Sequence, residues 1–94
     1  MTIDELYKII EERKKTMPEN SYTASLLRDG QDKILQKIEE EAQEIVNAVK
    51  NETQQRVVEE VADLWFHLLV LLSSVNIPPS AILKELQKRH NNKK

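Results

Sequence analysis

One glycine, Gly30, and three prolines punctuate 94 residues, so the chain has few places where a tight reversal is sterically cheap. The intervening segments are rich in Glu, Lys, Leu, Ile and Gln, residues that lose little freedom on entering a helix. No segment alternates apolar and polar residues over the length of a strand. These features predict an all-α fold, a bundle of about four to five helices forming a single domain over residues 1–94, with one modest core.

The punctuation marks divide the chain. Ile3, Leu6, Ile9 and Ile10 repeat at helical spacing, from a capping candidate at Thr2 to the basic run Arg13-Lys14-Lys15. Met17-Pro18-Glu19-Asn20 breaks that helix. Ser21 to Leu27 reads as a short helical turn opening on hydroxyl residues, and Gly30 stops it. A long helix from about Gln31 to Lys50 gathers Ile34, Leu35, Ile38, Ala42, Ile45, Val46 and Val49 into one arc that should face a core. Asn51-Glu52-Thr53 connects it tightly to a helix from about Gln54 to Val75, giving an antiparallel hairpin. Asn76-Ile77-Pro78-Pro79-Ser80 ends that helix. Ile82, Leu83 and Leu86 line a last one, which should give way to a polar tail, His90-Asn91-Asn92-Lys93-Lys94.

Composition removes several function classes. A net charge of −2, with both signs mixed along the chain, leaves no broad basic face for a nucleic-acid backbone. The absence of cysteine excludes disulfides, thiolate metal sites and thiol nucleophiles within this sequence. With no signal-peptide pattern at the N-terminus, a cytoplasmic setting is expected. The apolar run from Val61 to Leu72 is about 12 residues, against about 20 for a membrane span, and carries Asp63 and His67. It reads as a buried helix.

Acids placed among apolar residues carry the chemical signal. Lys33, Lys37, Glu40 and Glu44 form a stripe beside the apolar arc, whereas Glu41 sits on the arc's edge between Ile34, Ile38 and Ile45. On the following helix Glu60, Asp63 and His67 share a face flanked by Leu64, Val70 and Leu71. Antiparallel pairing, at about 1.5 Å per residue, would bring Glu40, Glu41 and Glu44 opposite Glu60 and Asp63. Bare anions that close repel one another and take up protons unless a cation stands among them. An oxygen-only set suits Mg²⁺, or Mn²⁺, better than zinc. Magnesium commonly meets substrate phosphates, and Lys33 and Lys37 are placed to neutralise the oxygens that the ion does not. Water attack on a phosphoanhydride is the reaction this set suggests, with one carboxylate taking the proton.

Glu40-Glu41-Ala42-Gln43-Glu44 followed by Glu60-Val61-Ala62-Asp63 resembles the EExxE…ExxD pattern of the all-α nucleotide pyrophosphohydrolases related to MazG. More narrowly, SYTASLL, DKILQKIEEEAQEIVNAVKN and VEEVADLWFHLLVLL resemble the phosphoribosyl-ATP pyrophosphohydrolases of histidine biosynthesis, from Ile3 to about Leu86. The resemblance implies that Glu40, Glu41, Glu44, Glu60 and Asp63 hold Mg²⁺, with Glu41 and Glu44 acting in catalysis. It implies that Ser21, Tyr22, Thr23, Lys33, Lys37 and Lys50 contact substrate or shape its pocket. The implied reaction splits phosphoribosyl-ATP into phosphoribosyl-AMP and pyrophosphate. Glu39 departs from the family pattern, which has a small residue before the paired glutamates. The cyclohydrolase domain fused to many relatives is not in this sequence, so one step of the pathway is expected.

His67 is expected to be a hydrogen-bonded, partly buried side chain, and Trp65 and Phe66 to be core or interface residues. The helix from Val61 to Leu72 is apolar around most of its circumference, more than one small chain can cover, which predicts a homodimer. Two other readings compete. A housecleaning hydrolase of nucleoside triphosphates would act broadly on ordinary triphosphates. A helical dimerisation module would use its acids only for solubility and would tolerate Glu41→Gln and Asp63→Asn.

Overall fold

A computed structural model describes residues 1–92 as five helices, with no strand among them. The fold is all-α. Helix α1 runs Ile3–Thr16, α2 Tyr22–Asp29, α3 Gln31–Asn51, α4 Gln54–Ser74 and α5 Pro79–Asn92.

Each boundary has a local cause. Thr2 and Glu5 form a reciprocal capping box that satisfies two amide donors at the start of α1. Met17 ends α1 in the left-handed region, at φ 49°. Ser21 Oγ accepts from the Ala24 amide to open α2. Gly30, at φ 102°, closes α2 and opens α3 at one residue, a backbone state that a side chain would strain. Thr53 Oγ1 accepts from the Arg56 amide to start α4. At the other end of α4, Lys14 Nζ donates to the Ser73 carbonyl at 2.6 Å and to Asn76 Oδ1 at 2.9 Å, so a cation from α1 meets the negative end of the α4 dipole.

Helices α3 and α4 form the antiparallel hairpin, and α1 and α2 pack across it. Ile10 from α1, Leu26 from α2, Ile34 from α3, and Leu69 and Val70 from α4 make the buried cluster, with Leu6, Ile38 and Phe66 around it. No single helix among the described residues is long and apolar enough to cross a membrane.

Two expectations need correction. The α3 arc does not face the core as a whole: Ile34 is buried and Ile38 and Ile45 are half-buried, but Leu35, Ala42, Val46 and Val49 are exposed. Among the described residues α4 and α2 are the helices that pack most extensively on α3, and the side that carries those four residues stays open to solvent. The last helix does not dissolve at His90. It continues through Asn92, supported by Arg89–Glu85 and Gln87–Asn91 contacts one turn apart and by basic residues in its final turn; Lys93 and Lys94 lie outside the described residues. As expected, Ile82, Leu83 and Leu86 line α5, and they are exposed, because α5 turns 106° away from α4 and leaves that face open.

Candidate active site

The hairpin brings Glu41 together with two acids that lie 19 or more residues further along the chain. Glu41 on α3 and Glu60 and Asp63 on α4 each offer a carboxylate oxygen, and the three atoms lie within 4.8 Å of one another. Glu41 and Glu60 are only 5% and 3% exposed, whereas Asp63 opens to solvent. Oxygen Oε2 of Glu41 is buried with no hydrogen-bond partner. Such an atom costs on the order of 1–3 kcal/mol, more when charged, unless something fills its place. Burial pushes the Glu41 carboxyl above its ordinary value, and the charges of Asp63 and Glu60 push the same way against the pull of Lys37.

The shell around this trio is ordered. Arg56, one turn before Glu60, donates from Nη2 to Glu60 Oε2 at 2.7 Å and also meets Glu52 and Glu59. One oxygen of Glu60 is thereby held by a guanidinium, which orients the carboxylate. His67 is 4% exposed and uses both ring nitrogens: Nδ1 lies 2.8 Å from the Asp63 carbonyl oxygen and 3.8 Å from Glu41 Oε1, and Nε2 lies 2.9 Å from the Tyr22 hydroxyl. Tyr22 also stacks on Phe66, ring centroids 6.1 Å apart. Desolvation pushes the Tyr22 phenol up, with Lys37, Glu41, Asp63 and Glu40 close enough to act on it. Partial burial opposes the charge on Lys37, yet Tyr22, Glu40 and Glu41 together hold the ammonium above its ordinary value.

The other residues singled out in the sequence take varied positions. Glu40 is exposed and pairs with Lys37 at 3.6 Å, and Glu44 is exposed on the next turn; neither belongs to the 4.8 Å group. Lys33 and Lys50 are exposed on α3. Ser21 serves as the α2 cap, and Thr23 is buried in its first turn. Phe66 packs against the core, while Trp65 stays exposed. Sequence reasoning missed Arg56, although its spacing of four residues from Glu60 is a readable ion-pair signal. It also missed the Tyr22–His67 bond, which joins residues 45 apart and has no local signature.

Three convergent oxygen donors, one with an orphaned buried atom, fit a hard divalent cation such as Mg²⁺. Comparison with known proteins identifies the family. Residues 3–90 match the family described as phosphoribosyl-ATP pyrophosphohydrolase. A phosphoribosyl-ATP pyrophosphatase of Trichlorobacter lovleyi is 52% identical over 87 residues, which cover 93% of this chain and 81% of that one. One from Leptospira biflexa is 49% identical over 86 residues, 92% of this chain and 94% of the relative. The histidine biosynthesis bifunctional protein HisIE of Bacillus subtilis is 46% identical over 89 residues, 95% of this chain but 43% of that longer protein. With the match running through all five helices and both acidic segments, this chain belongs to the phosphoribosyl-ATP pyrophosphohydrolase family.

Proposed function

We propose that this protein hydrolyses phosphoribosyl-ATP to phosphoribosyl-AMP and pyrophosphate, the histidine-biosynthetic reaction of its family, in the cytoplasm and as a Mg²⁺-dependent step. The observation that carries the metal-dependent reading is the Glu41–Glu60–Asp63 cluster with its unpartnered Glu41 oxygen. Glu41, Glu60 and Asp63 would hold the ion, with Glu40 and Glu44 on adjacent turns of α3 completing the set. When bound, Mg²⁺, or Mn²⁺ in its place, supplies Lewis-acid polarisation of the phosphoanhydride and activation of water. Lys37 and Lys33 neutralise phosphate oxygens from the same helix, and Lys50 extends the basic reach of α3 toward its C-terminus. Glu41 and Glu44 are the acids assigned to catalysis, one of them taking the proton of the attacking water. Ser21, Tyr22 and Thr23 shape the pocket at the start of α2.

The same reading assigns one catalytic domain and a homodimer. Val49 on α3, Trp65 on α4 and Leu83 on α5 are 64%, 55% and 61% exposed, so three helices each present apolar surface that a second copy would cover.

The assay is pyrophosphate release from phosphoribosyl-ATP beside ATP and dUTP. Selective turnover of phosphoribosyl-ATP is the expected result. Comparable turnover of the ordinary triphosphates would move the protein to the housecleaning hydrolases, and no turnover of any would support a structural role.

A further inference from the structure

Tyr22 opens α2 beside the acidic cluster, half-exposed, with its hydroxyl 2.9 Å from His67 Nε2. The polarity of that bond follows from the other side of the imidazole. His67 Nδ1 lies 2.8 Å from the Asp63 backbone carbonyl, which can only accept, so Nδ1 carries the ring hydrogen. Glu41 Oε1, 3.8 Å from the same nitrogen, favours that tautomer as well. In the neutral ring Nε2 is then an acceptor, and the Tyr22 hydroxyl donates to it. A phenol has one hydrogen. With it committed to the neutral ring, Tyr22 offers only lone pairs to anything else that enters the site.

This matters because a tyrosine beside a phosphate site would ordinarily be read as a donor to phosphate oxygen. Phosphate oxygens and the carboxylates of Glu41 and Asp63 are acceptors, so none of them complements Tyr22 in this state. The hydrogen-bond donors of a nucleotide lie on its sugar hydroxyls and on the N–H of its base. We propose that Tyr22 accepts a hydrogen bond from the nucleoside part of the ligand, and that His67 is the positioning residue that fixes Tyr22 as an acceptor. The proposal rests on the functional reading above and adds a specificity contact to it. Stacking on Phe66 and the bond to His67 hold the phenol from two directions, so its oxygen is oriented before a ligand arrives.

Titration calorimetry of the full chain in Mg²⁺, with pyrophosphate and phosphoribosyl-AMP as separate probes, tests it. Tyr22→Phe should raise the Kd of phosphoribosyl-AMP by about 3- to 10-fold, the range for one neutral hydrogen bond, and leave that of pyrophosphate within about 2-fold. His67→Leu should reproduce this effect, the double variant should be no worse than either single one, and His67→Gln, whose amide oxygen can accept from Tyr22, should restore binding. AMP and ribose 5-phosphate as further probes separate the two sugar sources, since only the one carrying the donor should weaken. Equal loss of both main probes in Tyr22→Phe would mean donation to phosphate and would overturn the proposal, as would no loss of either. If His67→Leu does not fold, Tyr22→Phe with the two probes decides alone. Wild-type protein that does not turn over phosphoribosyl-ATP sinks the functional reading itself; active wild type with the wrong probe pattern sinks only this inference.

Discussion

Glu41 occupies a position where helix geometry would ordinarily place Leu or Ala, and its neighbours make it a poor place for a lone anion. Ile34, Ile38 and Ile45 flank it along α3, and Glu60 and Asp63 face it from α4. Its carboxyl holds its proton more tightly folded than unfolded, because burial and like charge both disfavour the anion. The folded state therefore binds more protons over the window from the ordinary value of 4.5 up to the raised one, and this contribution to stability is lost as pH rises through it. Glu41→Gln removes that dependence. In metal-free buffer the variant should gain on wild type as pH rises through the window, reaching an advantage of about 1 kcal/mol in denaturant melts, whereas a constant or reversed difference contradicts the assignment. Millimolar Mg²⁺ should raise the wild-type melting temperature and not that of the variant, since only a competent carboxylate set gains binding energy on folding. Glu41 was legible in the sequence because its place on the apolar arc conflicts with its charge. Tyr22–His67 was not, because residues from two helices meet there only after packing.

At the scale of elements, the chain's single glycine does double duty. Gly30 ends α2 and begins α3 at φ 102°, in space where an added Cβ would meet no atom within 4 Å. Gly30→Ala therefore introduces backbone strain without a steric clash, and should cost about 1 kcal/mol in chemical denaturation. No loss, or a gain, would mean that the junction relaxes to negative φ. All five helices and most of their boundaries were readable from such markers: Thr2, Ser21 and Thr53 as caps, Met17-Pro18 and Pro78-Pro79 as breaks. The overextended tail prediction failed for a physical reason. His90, Asn91 and Asn92 look polar and disordered by composition, but Asn91 accepts from Gln87 one turn back and the basic residues of the last turn complement the helix dipole, so the helix runs on. The α3 arc was found with the right period, yet periodicity says which face is apolar and not what covers it.

The whole molecule has more apolar surface than a chain of 11.0 kDa can bury by itself. A groove between α4 and α5, lined by Ile3, Trp65, Leu68, Leu72, Leu83 and Leu86, opens to solvent. On the dimer reading, sedimentation equilibrium at micromolar concentration should return twice 11.0 kDa, and a stable monomer would contradict it. The central claim is chemical, however, and joins the acidic cluster to the reaction of the family. Pyrophosphate release from phosphoribosyl-ATP, followed against Mg²⁺ concentration for wild type and Glu41→Gln, addresses both parts in one experiment. Saturable Mg²⁺-dependent turnover in wild type, reduced by about 100-fold or more in the variant, is the expected result. Turnover that is indifferent to Mg²⁺, or that survives Glu41→Gln, would contradict the account.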